Sequence, residues 1–510
     1  MRRPSAQSRK RRQLCVRAVP GVVALLGSAR DGHAYEAEVD ATVDAQFYAV
    51  QSPYGEPEIR RRRYTDTLGM ALYDLQGESR PTGPSLTFRS RLRVDADLGQ
   101  DPAERDPNST RFVPGVEQAP FDVMYAYLDG QRYLGGVFGF RIGRQYVTDV
   151  LGWWSFDGGL LTVDTPIHLR LETYGGFEQR SGLPLLGTPR YQADGVARGS
   201  RDDLRNDQWT SYLDQSALAP AFGFALETID FSWVHLRATY RRVINQDTVV
   251  VSPFADELGE LRSVAASRVS TEKLGATARL EESSLGTLVG SVVYDAYAGV
   301  FSDIAVGAEW YATSRATAGV DFERLVPTFD GDSIFNWFSR AAQTSVTGRV
   351  DFTLSRRLRI GATGGVRLFE TLGDPETFAA TGDESDITRE LDPFGTLAGR
   401  YHWNDGSVAA RAMAELGAAG HRVGGDVTTV KTYDAGYYDS RVVLSLYDFA
   451  DALRPDRYAT SFSYVLGFGV LPAIDRISVS RIGVEWEHAM NRLVGQRYRV
   501  LATLDFSVLR

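Results

Sequence analysis

Residues 85–98 read SLTFRSRLRVDADL, and apolar and polar side chains alternate along them. Leu86, Phe88, Leu92, Val94, Ala96 and Leu98 hold even positions, while Arg89, Arg91, Arg93, Asp95 and Asp97 hold odd ones. A β-strand points successive side chains to opposite faces, so the pattern predicts a strand with one apolar and one ionic face. The same period of two returns from end to end. Ala37, Val39, Ala41, Val43 and Ala45 alternate with Glu36, Glu38, Asp40, Thr42 and Asp44. Leu274 to Leu280 and Val346 to Leu354 repeat the pattern, and Tyr498, Val500, Ala502, Leu504, Phe506 and Val508 close it. Ile477 and Val479 change phase to Ile482, Val484 and Trp486, which predicts a bulge near Ser480 or Arg481. No stretch after the N-terminus carries the 3.6-residue apolar period of an amphipathic helix.

The connections sort by length. Tight ones fall at 281–286, 355–357, 404–406 and 471–475, and long polar ones at 99–120, 179–218, 244–270, 326–341 and 370–392. Short turns at one end and long loops at the other predict an all-β fold: an antiparallel transmembrane β-barrel with short periplasmic turns and long extracellular loops. Segment counting gives about 22 strands. The stretches GHRVGGDVTTVKTYD and YYDSRVVLSLYDF count as two of them, because an even number returns the C-terminus to the periplasmic side. Hydrocarbon demands the apolar face and tolerates no unpaired backbone, so the sheet closes and its ionic face lines the interior. Phe47, Tyr125, Tyr127, Trp310, Tyr401, Trp403 and Trp486, near strand ends, suit the two membrane interfaces.

Composition narrows the picture. Mean hydropathy of −0.23 and 24% charged residues fit alternating strands, not apolar spanning helices. Residues 1–34 read as a signal peptide, with a basic segment through Arg12, an apolar run from Ala18 to Leu26, and cleavage after Ala29 or Ala34. Residues 35–510 then form one barrel domain. Cleavage after Ala34 takes away eight basic residues and Asp31, leaving 48 basic against 64 acidic side chains from the original 56 and 65. So acidic a product is not expected to bind nucleic acid. Cys15, the one cysteine, leaves with the signal. His33, His168, His235, His402, His421 and His488 are scattered without metal-ligand spacing, so neither a metal, another cofactor nor an enzymatic site is expected.

Residues 133–158, YLGGVFGFRIGRQYVTDVLGWWSFDG, and the following IHLRLETYGG at 167–176 resemble outer-membrane porins of the alginate-export and related substrate-channel kind. The resemblance implies that this region lies near a channel. It makes Arg144 and Asp157 candidate constriction or loop-anchoring residues. The terminal Val508-Leu509-Arg510 departs from the aromatic ending common in such barrels.

The polar phase supplies the candidate pore lining: Arg89, Arg91, Arg93, Asp95, Asp97, Arg141, Arg170, Glu172, Arg237, Arg279, Arg349, Asp351, Arg367, Arg400 and Arg411. Two arrangements fit this set. An arginine ladder facing an acidic wall would favour anions, whereas interleaved pairs would only hydrate the wall. The expected function is passive diffusion of small hydrophilic solutes, anions among them, through the bacterial outer membrane, with loop 179–218 folding inward to narrow the path. The alternative is a non-conducting scaffold or adhesin barrel with a loop-packed lumen. Expected partners are outer-membrane lipid and lipopolysaccharide, the barrel-assembly machinery, permeating solutes and a second copy of the chain.

Overall fold

The computed structural model describes residues 36–52, 55–77, 83–97, 122–178, 219–255, 261–328, 342–372, 387–417, 420–433, 438–451, 454–470, 478–491 and 495–509. The expected signal segment 1–34 and the expected loop 179–218 lie outside them. Twenty-two strands follow one another along the chain. The first eight are β1 (Ala37–Ser52), β2 (Gly55–Leu72), β3 (Ser85–Asp97), β4 (Asp122–Tyr133), β5 (Phe138–Asp149), β6 (Gly152–Asp164), β7 (Leu169–Glu178) and β8 (Pro220–Thr228). The next seven are β9 (Val234–Ala255), β10 (Leu261–Glu282), β11 (Gly286–Asp295), β12 (Val300–Thr313), β13 (Ala316–Leu325), β14 (Gln343–Thr353) and β15 (Leu358–Leu372). The last seven are β16 (Ile387–Trp403), β17 (Gly406–Gly417), β18 (Gly420–Tyr433), β19 (Tyr438–Asp451), β20 (Arg454–Val470), β21 (Ser478–Asn491) and β22 (Gly495–Leu509). Among the described residues the one helical element is a 3-10 turn at Leu134–Gly136.

Every strand pairs antiparallel with its sequence neighbours, and β22 returns to β1 from Glu38↔Leu509 to Tyr48↔Arg499. Within the closed belt the sheet has no free edge, so backbone donors and acceptors there find partners around the ring. At about 4.8 Å per strand and a tilt near 40°, 22 strands enclose a ring about 44 Å across, too wide for wall side chains to fill.

The alternation is realised in space. Leu128, Ile142, Leu161, Leu274, Val306, Val346, Leu397, Leu444 and Leu466 share the exposed apolar phase of their strands. The phase change in β21 is a register shift between Val479 and Arg481, where the sequence predicts it. The segment 420–449 is two strands, β18 and β19.

Three expectations need correction. Residues 244–270 are not a long loop: β9 and β10 run 22 residues each and stay paired out to Leu261↔Ala255. Their neighbours β8 and β11 are only 9 and 10 residues long, so the far half of the β9–β10 pair stands alone as a ribbon. Its ThrValValVal run favours strand over loop. Likewise 370–392 is strand at both ends, with β15 running on to Leu372 and β16 starting at Ile387, and 373–386 lie outside the described residues. Finally, Tyr125 and Tyr127 face inward, not toward an interface: Tyr127 pairs in register with Gly143 and Arg89, and the Arg141 guanidinium lies 4.8 Å over its ring. By contrast Trp310 and Trp486 are on the outer phase, 60% and 43% exposed.

Candidate functional site

The register places the polar-phase residues on one face. Asp164, Arg170, Glu227, Arg237 and Thr277 are successive cross-strand neighbours from β6 to β10. Arg349 faces Thr363, Arg367 faces Asp392, Arg400 faces Ala409 and Arg411 faces Asp426. Asp95 and Asp97 share the phase of Arg89, Arg91 and Arg93 in β3, but their side chains are outside the description. That this face is the concave one follows from the β5–β6 turn. A Cβ on Gly275 of β10 would lie 2.3 Å from Val150 Cγ1 and 2.7 Å from Leu151 Cδ2. A hairpin tip reaches a strand that far around the ring only across the interior.

Charges on this wall are interleaved. Arg91 reaches Asp40 at 3.5 Å across Gly69, and Arg170 holds Asp164 through Nε and Nη2 at 2.6 and 2.9 Å. Arg237 bridges Glu172 and Glu227 at 2.9 and 2.8 Å. Arg349 bridges Glu309 and Asp321 at 3.0 and 3.2 Å, and Arg411 holds Asp426 at 2.7 Å. Arg141 lies 3.8 Å from Asp129, Arg279 2.7 Å from Glu281, and Arg367 donates to Glu415. Acids and arginines therefore alternate between adjacent strands and do not segregate to opposite walls. Arg89 lies 5.6 Å from the Tyr73 ring, just past the end of β2. The hydrogen bond that Tyr73 donates to Glu38 holds its phenol above the ordinary tyrosine range.

The wall is interrupted at β5–β6. Pairing of β4 with β5 stops at Ala126↔Arg144, next to Gly143, whose φ of +127° favours glycine. Beyond it the hairpin leaves the ring and curls inward. On the far side, Gly158 and Gly176 allow the sheet to fold sharply: a Cβ on Gly158 would sit 2.7 Å from Gly176 Cα and 2.1 Å from Gly175 O. The inner faces of hairpin and wall then pack together. Val147, Trp154, Phe156 and Leu160 join Tyr174, Ala219, Ala221 and Val243 in an apolar cluster. Trp154 and Phe156 stack at 4.3 Å, and Phe156 is fully buried. Removing such rings from water contributes about 2 kcal/mol each.

A buried ion pair fixes the tip. Arg241 of β9 donates to Asp149 at 3.0 Å, with side-chain exposures of 6% and 0%. The guanidinium also lies 5.1 Å over Trp154, whose indole donates to Glu178 at 2.9 Å. Gln145, wholly buried, donates to the Gly158 and Arg141 carbonyls at 3.0 and 3.3 Å. The opposite face of the hairpin meets the lumen, and Tyr146 packs 5.8 Å from the inward Tyr125.

Arg144 and Asp157 stand at the root of this hairpin. Arg144 Nε and Nη2 donate to the two Asp157 oxygens at 2.7 and 2.8 Å, and Nη1 reaches the Val123 carbonyl at 3.2 Å. The pair joins β5 to β6 at the last position still tied to β4. A cavity of about 800 Å³ lies between the hairpin and the tight-turn end of β4–β10, and neither residue lines it. Its lining includes Tyr127, Asp129, Arg141, Tyr146, Thr148, Asp164, Arg170, Glu172, Glu227 and Arg237. Among the described residues no three His, Cys, Asp or Glu side chains are grouped to hold a metal.

Asp149, Gln145, Trp154 and Gly275 were not singled out by the sequence. A signal does exist. In QYVTDVLGWWSF the alternation breaks down and large apolar residues enter both phases, which a strand with a wet inner face does not need.

No family model matches the chain, and no curated protein matches it. Solved structures with a similar course exist. Pseudomonas aeruginosa OccK9 (OpdG) is 12% identical with a TM-score of 0.41, covering 93% of this chain and 98% of that one. Acinetobacter baumannii OccAB2 is 8% identical at 0.42, covering 93% and 98%. Pseudomonas aeruginosa OpdK, solved with vanillate, is 10% identical at 0.39, covering 93% and 99%.

Proposed function

We propose that the chain is an outer-membrane channel for passive diffusion of small hydrophilic solutes, narrowed by the inturned β5–β6 hairpin. The carrying observation is that hairpin. Its apolar side is buried against β7–β9, and its other side borders a cavity rich in charged side chains. Such a wall removes the desolvation barrier to a polar solute, and the hairpin filters by size. In this reading Arg141, Arg170, Glu172 and Arg237 line the narrow section. Arg89, Arg91, Arg93, Asp95, Asp97, Arg279, Arg349, Asp351, Arg367, Arg400 and Arg411 line the remaining lumen. Arg144 and Asp157 brace the hairpin root and do not form the eyelet. The pathway involves no covalent chemistry. Outside the lumen, the apolar faces meet outer-membrane lipid.

Reconstitution of the full-length protein in planar bilayers tests the reading. Discrete conductance steps are expected. A silent bilayer containing folded protein would overturn it and favour a scaffold barrel with a blocked lumen.

A further inference from the structure

Most arginines on the inner wall meet a carboxylate, but Arg359 of β15 and Arg400 of β16 meet each other. They are direct cross-strand partners, flanked by Thr353 of β14 and Ala409 of β17 in the same register. Both side chains are exposed and share the phase of Arg367 and Thr396. Among the described residues neither has a carboxylate within 4.0 Å. The neighbouring acid on that face, Asp351, lies opposite Gly361, its Oδ1 2.4 Å from where a Gly361 Cβ would stand. Asp405 in the adjoining turn is engaged by Lys431 at 3.7 Å. His402, two residues past Arg400 in β16, shares its phase and carries no acid.

Like charges directly opposite one another destabilise an antiparallel pair, their Cβ atoms being about 5 Å apart. Two guanidiniums rooted at that spacing are close enough to aim their N–H forks at one phosphate, sulfate or carboxylate. We propose that Arg359 and Arg400 form a binding site for a small dissolved oxyanion at the tight-turn mouth of the lumen. The site is a property of the folded barrel and does not require that the barrel conduct. Its lumen-facing position makes the source a dissolved anion and not a lipid headgroup.

The test uses the full-length protein in neutral detergent, with inorganic phosphate as probe against chloride at equal ionic strength. Calorimetric titration should give saturable phosphate binding and a raised unfolding temperature. The double variant Arg359→Gln/Arg400→Gln should bind roughly tenfold more weakly or worse, as expected for loss of two charge-assisted contacts. Ala409→Glu, placed directly opposite Arg400, should supply the missing carboxylate. It should abolish phosphate binding while raising the unfolding temperature without phosphate, so the test survives if the double variant fails to fold. Arg356→Gln, in the exposed β14–β15 turn, should leave binding unchanged. Equal shifts from chloride, or phosphate binding that persists in Ala409→Glu, would overturn the site. So would a shift from anionic-phospholipid micelles with none from phosphate. Loss of conductance with phosphate binding intact would instead strike the channel reading alone.

Discussion

Arg241 and Asp149 pay for their burial only as a couple. Asp149 has no exposed side-chain surface, and Arg241 nearly none. Replacing Arg241 by Met leaves the buried Asp149 carboxylate with the Leu151 N–H but no counter-charge, and should cost about 3–5 kcal/mol. Urea unfolding in detergent should register this as a lower midpoint, and single channels as larger or noisier conductance. The companion Asp149→Leu in the same chain should recover most of the stability, because an apolar pair of similar volume suits the cluster. Arg144→Ala at the hairpin root should cost less, about 1 kcal/mol, since Asp157 is 47% exposed and can turn to water. If both single variants lost the same stability, the distinction between tip and root would fail.

At the scale of elements, the hairpin rests on a saddle. Gly275→Val would drive a branched side chain into Val150 and Leu151, and the tip must shift or the wall must bulge. Solute-exclusion assays on liposomes should then show a changed size limit, with strand content by circular dichroism unaltered. Most strands were legible because period two is a local signal: β3, β14 and β22 carry it in their own residues. The inward curl was not, because it depends on contacts far apart in the chain, such as Val150 on Gly275. What the sequence offered there was a loss of alternation in VTDVLGWWSF, which marks a departure from the apolar-out, polar-in wall but not what the segment packs on. The extended β9 and β10 were hidden for a different reason. Polar residues such as Asn245, Gln246 and Asp247 interrupt an otherwise β-branched stretch, so the local pattern reads as a loop.

For the whole molecule, the decisive matter is which face meets hydrocarbon. Leu444 and Ser445 are adjacent in β19 and point to opposite faces, with Leu444 47% exposed. Leu444→Arg should cost about 2–4 kcal/mol in a bilayer, whereas Ser445→Arg on the wet side should be near neutral. Refolding into vesicles with a urea titration measures both, and equal costs would contradict the assigned sides. Interleaved charges also set the expected ion preference. With Arg170, Arg237, Arg349 and Arg411 already matched by carboxylates, reversal potentials across a salt gradient should show only weak selectivity. The β9–β10 pair outruns its neighbours by about twelve residues, a reach of about 40 Å at the rise of a strand. With the long loops outward, as the sequence predicts, that mast carries its tip away from the cell surface. A peptide epitope spliced between Ala255 and Leu261 should therefore be stained by antibody on intact bacteria.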